Sequence, residues 1–307
     1  MRGDATPDTA GGRLGVRGGL SIDHLVAVGR DAAFDQLGGP GLYAALGGRL
    51  VGGTEVRLIT DLPDDDERFE LLFDELGIDV WHSRAVPSVP RVWILDSPQG
   101  RRIVETTAPS DLELEDAESP SEAGEVPLPP LGEASDGLDA LLDSSPLERA
   151  RVGSSTLVGV DPHQLPLRRE GLGYLRRVLT RGGTVLPSRV QLRLLDPDPR
   201  AAARRIAREL GAQVVARLDR EGMYVVTGDG CWTVCDPAVQ VRETTGAGDA
   251  SAAAIMAALA QGADLVTAAH FGVSVARIAL AGTGSSALAA ASPLTHPFPD
   301  IRSNQES

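Results

Sequence analysis

Short runs of branched aliphatic residues alternate with longer amphipathic or alanine-rich stretches along most of this chain. That order restricts the fold more than any other feature. Leu20 to Val28 and Val56 to Thr60 read as strands, and the small-residue segment Gly38 to Leu50 between them reads as a turn continuing into a helix. Phe69, Leu72, Phe73 and Leu76 recur at helical spacing, with Asp64 to Asp66 at the positive end of that helix and Gly77 where a C-terminal cap belongs. Arg91 to Leu95 and Arg101 to Val104 flank a turn sequence and predict a hairpin. Thr156 to Val160 predicts a buried strand and Arg168 to Thr180 a helix. Thr184 to Leu186 follows as a short strand, then a helix with Ala203, Ile206 and Leu210 on one face. Val214 to Leu218 and Met223 to Thr227 read as strands. Two alanine-rich helices, Ala247 to Ala260 and Leu265 to Leu280, complete the pattern. Strands separated by helices argue for a mostly parallel sheet covered on both faces. A length of 307 residues suits one large α/β domain or two small ones.

Two segments break the pattern. Residues 1–18 are glycine-rich and polar and read as a flexible N-terminus. Asp111 to Glu133 is acidic and rich in Pro and Ser, with too little apolar area to offset the entropy of ordering it, and reads as a mobile insert.

Composition removes whole function classes. A net charge of -14 disfavours nucleic acid and anionic membranes as partners. All 29 basic residues are arginine; the sequence contains no lysine. P-loop nucleotide hydrolases, protein kinases and pyridoxal enzymes each need a lysine, so none of them fits. Cys231 and Cys235 cannot form a disulfide framework, zinc would need two more ligands, and nothing reads as a signal peptide or a membrane span. The expected location is cytoplasmic.

Chemistry concentrates in Glu243-Thr244-Thr245-Gly246-Ala247-Gly248-Asp249, read as lying directly after a strand and opening a helix. Small residues allow close approach of a ligand to the backbone. The free amides of the first helical turn make an anion site, and Asp249 in that turn can take a proton from an attacking hydroxyl. An anion hole beside a carboxylate base is a phosphoryl-transfer site that needs no lysine. The plainer alternative is a helix capped by Thr245 with Asp249 favouring its dipole.

Thr244 to Asp249 resembles the C-terminal signature of the ribokinase-like, or PfkB-type, carbohydrate kinases, differing only in Glu243 for the family's first Asp. Gly38-Gly39 resembles the start of the N-terminal signature, and Asp23 resembles the family's sugar-binding aspartate. The resemblance implies a three-layer α/β/α sandwich with a mostly parallel central sheet and a small β-lid. Residues 19–290 would form the kinase domain, with the lid from about 24–37 and 84–106, and 291–307 a tail. It implies ATP-dependent phosphorylation of a hydroxyl on a sugar, cyclitol or nucleoside. Asp249 would be the base, and Gly246, Ala247 and Gly248 the anion hole. Asp23, Gly38, Gly39 and Tyr43 would hold the acceptor; Thr245, Ser188, Gln191, Arg217, Gly222 and His270 would face the nucleotide. Mg²⁺ would ride on the phosphates, with no metal-ligating residues identified, and a monovalent cation is a further option. A homodimer through the lid is one open arrangement.

The departures point to a divergent member. Tyr43 replaces a sugar-binding asparagine, as in the myo-inositol kinase-like subgroup, and Gln191 replaces a glutamate linked to magnesium. Arg217 and Asp219 replace a Thr and a Gly near the nucleotide, while Arg101-Arg102 flank the lid hairpin. These changes keep a second reading open, a degenerate kinase fold retained as a binding or regulatory module. A dinucleotide-binding oxidoreductase lacks its Gly-x-Gly-x-x-Gly turn.

Overall fold

The computed structural model describes residues 11–97, 100–106 and 127–306. The first part of the chain runs β1 (Gly12–Arg17), β2 (Ser21–Ala27), β3 (Ala33–Gly38), α1 (Pro40–Arg49), β4 (Thr54–Ile59), β5 (Asp61–Pro63) and α2 (Arg68–Leu76). Then come β6 (Arg84–Val86), β7 (Arg91–Ser97), β8 (Gly100–Thr106), β9 (Ala140–Ser144), β10 (Leu157–Asp161), α3 (Gln164–Glu170), α4 (Leu172–Val178), β11 (Thr184–Val185) and α5 (Arg189–Arg193). The remainder is α6 (Pro199–Leu210), β12 (Gln213–Arg217), β13 (Met223–Thr227), β14 (Gly230–Cys235), α7 (Ala247–Ala260), α8 (Leu265–Leu280), α9 (Ser286–Ala290) and β15 (Arg302–Glu306).

Among the described residues the central sheet has the order β15-β14-β13-β12-β11-β10-β9-β1-β4. Every pair from β4 across to β12 is parallel, and β13, β14 and β15 add on antiparallel. Side chains alternate between faces with the two-residue period of a strand. Leu142, Val215 and Val225 join one buried cluster with α1, α7 and α8. Their neighbours Leu141, Val214 and Tyr224 join a second with α4, α5 and α6. Two cores on opposite faces of one sheet make the three-layer sandwich.

Small residues set how closely the layers approach. A Cβ on Gly47 of α1 would lie 2.2 Å from the carbonyl oxygen of Ala250, so α1 and α7 touch backbone to backbone. Alanine there would push α7, and the site at its start, away from α1.

A second sheet, in the order β3-β2-β7-β8, forms the lid. Three of its aromatic side chains meet on it: the His24 and Trp93 rings lie 4.6 Å apart, with Phe34 beside both.

Several boundaries differ from expectation. The core sheet begins at β1, inside the segment read as a flexible N-terminus; Leu14 and Val16 are fully buried there. The strand read from Leu20 to Val28 is instead β2 of the lid, so the lid begins at Ser21. The segment read as a tail from residue 291 ends in β15, which closes the antiparallel edge against β14. The helix expected over Arg168 to Thr180 is two short helices, broken at Gly171. Of the acidic insert, residues 111–126 lie outside the described residues, whereas Leu131 is buried in the second core cluster and is followed by a single 3₁₀ turn.

Candidate active site

The start of α7 is reached through a loop over residues 236–246 rather than directly from a strand. Glu243 organises that loop. Its Oε1 accepts from the amides of Thr244 (2.9 Å) and Thr245 (2.6 Å), and Oε2 from Gly284 (3.3 Å). The longer carboxylate at this position thus serves as an acceptor for the turn's own backbone. Gly246 follows at φ 73°, and a Cβ there would meet the Tyr43 ring at 2.0 Å, so only glycine fits. As the N-cap, Gly246 offers no side chain to the first-turn amides. Thr245 does not cap the helix either; its hydroxyl accepts from Arg101 Nη2 at 3.0 Å.

Asp249 sits in this first turn, partly buried. Burial, reinforced by the charge of Asp161, pushes its carboxyl up to about 7, against the lowering pull of Arg217 and Arg101. A carboxylate near neutrality is suited to proton transfer.

Asp161 and Arg217 come from the C-terminal ends of β10 and β12, the edge at which open parallel sheets bind ligands. Arg217 Nη2 donates to Asp161 Oδ2 at 2.6 Å, and both side chains are about nine-tenths buried. The guanidinium also lies against the helix start, since a Cβ on Gly248 would be 2.9 Å from Arg217 Nη1.

Gln191 departs from its expected role at the nucleotide. Its Nε2 donates to Asp161 Oδ1 (3.0 Å) and to the Pro162 carbonyl (2.6 Å), and its Oε1 accepts from the Ser188 amide (2.6 Å). Ser188 Oγ accepts from the Gln191 amide in return, so the pair is a capping box for α5. The amide is spent on structure. Ser188 nevertheless pairs with Arg217 across the strand ends, beside the site.

On the lid side, Asp23 is buried, accepts from Ser21 Oγ at 2.6 Å, and is held above the ordinary carboxylate range by that burial. Gly38 packs on its carboxylate and Gly39 caps α1. Tyr43 corrects an expectation: it does not stand open to the acceptor but is 2% exposed, with its ring on Gly246. Its hydroxyl is buried without a partner and feels the charges of Asp23, Glu243 and Asp249, so the ring belongs to the core while its polar end faces the carboxylates. A cleft of about 570 Å³ opens over the ends of β1 and β9, lined by Arg17, Gly19, Pro40, Ser144 and His163 among others.

Gly222 closes the turn between β12 and β13, where a Cβ would strike the Val234 carbonyl at 2.2 Å. Asp219 in that turn takes φ 53°, a left-handed conformation that glycine would adopt without strain. His270 lies half-buried on α8, and burial lowers its basicity. Among the described residues no three His, Cys, Asp or Glu side chains converge to hold a metal. Both Asp161 oxygens already accept hydrogen bonds. The donor set therefore does not form a protein cage for a divalent ion.

Three residues were missed as site residues in the sequence: Arg101, Asp161 as a charge partner, and Glu243 as an amide acceptor. Asp161 carried a usable signal, an aspartate closing a buried strand; Arg101 carried none, because lid closure is not encoded locally.

The model of pfkB family carbohydrate kinases matches residues 192–291, which include the whole of α7 and α8. An uncharacterized sugar kinase of Archaeoglobus fulgidus is 34% identical over 137 residues, 44% of this chain and 54% of that protein, so the chain matches about half the length of this relative. Aminoimidazole riboside kinase from Salmonella enterica shares the fold at a TM-score of 0.66 and 18% identity, covering 90% of this chain and 96% of that one. Adenosine kinase from Sinorhizobium meliloti gives 0.66 and 18% over 90% and 95%. Ribokinase from Cryptococcus neoformans gives 0.65 and 17% over 92% and 97%. The chain thus has the fold of these kinases, and its segment 192–291, which contains the helix start, matches the pfkB family carbohydrate kinase model.

Proposed function

We propose that this chain transfers the γ-phosphoryl group of ATP to a hydroxyl of a sugar, cyclitol or nucleoside. The observation that carries the reading is Asp249, partly buried beside the uncapped amides of α7 and held near neutrality. Two of the fold's neighbours are described in complex with their nucleotides, the Salmonella enterica riboside kinase with an ATP analogue and the Cryptococcus neoformans ribokinase with ADP.

In this reading Asp23 orients the acceptor, its carboxylate held by Ser21 and by the close approach of Gly38, while Gly39 and the Tyr43 ring set the backbone around it. Asp249 takes the proton of the attacking hydroxyl as its oxygen bonds to the γ-phosphorus. The bond from that phosphorus to the β,γ-bridging oxygen breaks, and ADP leaves with the electron pair. Charge on the phosphoryl oxygens meets the backbone at Gly246, Ala247 and Gly248, where preorganised dipoles need no rearrangement. Thr245, Ser188 and Gly222 border the nucleotide, with His270 further along α8. The lid excludes water, which would otherwise compete as acceptor. Mg²⁺ arrives on the nucleotide phosphates and would neutralise part of their charge.

Gln191, fully engaged in structure, favours a second reading as a binding module without turnover. One experiment separates them. ADP formation is measured against pentoses, hexoses, inositols and nucleosides, with the wild-type chain and Asp249→Asn. A kinase gives turnover with at least one acceptor, reduced about 10²–10⁴-fold in the variant while ADP affinity holds. Sugar binding with no turnover by either protein supports the module.

A further inference from the structure

Two arginines reach the start of α7, one from each sheet. Arg217 rises from the sheet, fixed by Asp161 at 2.6 Å, with Nη1 over Gly248 and its Nε buried without a partner. Arg101 descends from β8 of the lid and reaches across 144 residues of sequence to Thr245 Oγ1 at 3.0 Å. One stands beside the third residue of the amide cradle, the other beside the residue that precedes it. We propose that Arg101 and Arg217 form a guanidinium clamp on the phosphoryl group in transfer, Arg217 fixed in the sheet and Arg101 delivered by lid closure.

The proposal rests on the kinase reading and adds to it two catalytic side chains. A guanidinium is a planar fork whose parallel N–H donors match two oxygens of a phosphoryl group. The chain has no lysine to act as a point charge there and, among its described residues, no carboxylate cage for a metal. Among the chain's own permanently charged side chains, arginine is the cation left for the task. Asp161 keeps Arg217 from wandering: its Oδ2 takes Nη2 while Gln191 holds Oδ1, so the guanidinium face next to Gly248 is the one left for a ligand. Gly248 is part of the device, because any side chain there would displace the guanidinium from the amides. Arg101 differs in kind. It is exposed and bound to the core through a single neutral hydroxyl, which phosphoryl oxygens would outcompete. Its bond to Thr245 therefore stands in for the contact made when the site is loaded. Both charges bear on Asp249 and favour its ionised form.

The test uses ADP with and without aluminium fluoride, a mimic of the planar phosphoryl group in flight, so it does not depend on the acceptor's identity. Calorimetric titrations compare the wild-type chain with Arg217→Met, Arg101→Met, and the double variant Arg217→Met/Asp161→Asn. The last removes the unpaired buried carboxylate that the first leaves behind. Wild type should bind ADP, and more tightly with fluoride. Each arginine removed should cost at least tenfold in the fluoride-dependent gain, in line with the roughly 10²–10³-fold effect of one preorganised donor on a transition state, while affinity for ADP alone stays within threefold. A fluoride-dependent gain that survives in the double variant and in Arg101→Met, or that is missing from wild type, overturns the clamp. No ADP binding by wild type, with or without fluoride, would instead defeat the kinase reading itself.

Discussion

Ionising Asp249 should weaken the fold, and the size of the effect follows from its surroundings. Burial and the Asp161 charge raise its carboxyl from 3.8 to about 7. At ~1.4 kcal/mol per tenfold, keeping it ionised in the folded chain costs about 4 kcal/mol. The sign is set by the raised value. Stability is fully present below about pH 4 and is lost as pH rises through 7, because the unfolded chain releases the proton first. Asp249→Asn keeps the shape and does not titrate, so it is the reference. Between pH 5 and pH 8 the wild-type chain should lose roughly 2–3 kcal/mol relative to the variant, read by urea unfolding across that range. The same titration should appear in catalysis. With a base at about 7, only about a tenth of the molecules are competent at pH 6, so kcat/KM should climb roughly tenfold from pH 6 to pH 8. Replacing Asp161 by Asn removes the repelling charge and should move the acid limb downward. A stability difference between wild type and variant that stays constant from pH 5 to pH 8 would refute the reasoning.

The buried hydroxyl of Tyr43 has no protein partner, so Tyr43→Phe should leave Tm unchanged or raise it, by up to ~1 kcal/mol of stability. The acceptor KM should change little, because the hydroxyl is buried; a large loss of stability would contradict the packing described. Gln191→Glu should not improve metal handling. It would set a carboxylate against Asp161 and the Pro162 carbonyl and should cost about 2–4 kcal/mol at pH 8. An unchanged urea midpoint would overturn this assignment. Asp219→Gly should relieve the left-handed backbone at φ 53°, gaining about 1 kcal/mol less a few tenths for the exposed ion pair with Arg189. Loss of stability in thermal unfolding would mean the ion pair outweighs the strain.

The sequence by itself determined the elements with strong internal periodicity. Helices α7 and α8 fall on the residues their alanine-rich pattern marks, and α2 ends at Gly77 as its capping position implies. The motif Gly246 to Asp249 was equally readable, because the chemistry of a helix start is local: a left-handed glycine, free amides, and an acid in the first turn. Strands near the ends of the chain were not readable. The isolated sequences of β1 and β15 are short and partly polar, and only pairing with β4, β9 and β14 makes them strands. The same holds for side-chain roles. Gln191 looked like a nucleotide residue until Asp161, thirty positions earlier, took its amide. Tyr43 looked like a substrate platform until Gly246 on another helix received its ring. Arg101 looked like a hairpin flank until the lid carried it to Thr245. Hydrogen-bond capacity and burial are properties of neighbours in space, so tertiary structure alone decides which polar groups are spent on the fold and which remain for a ligand.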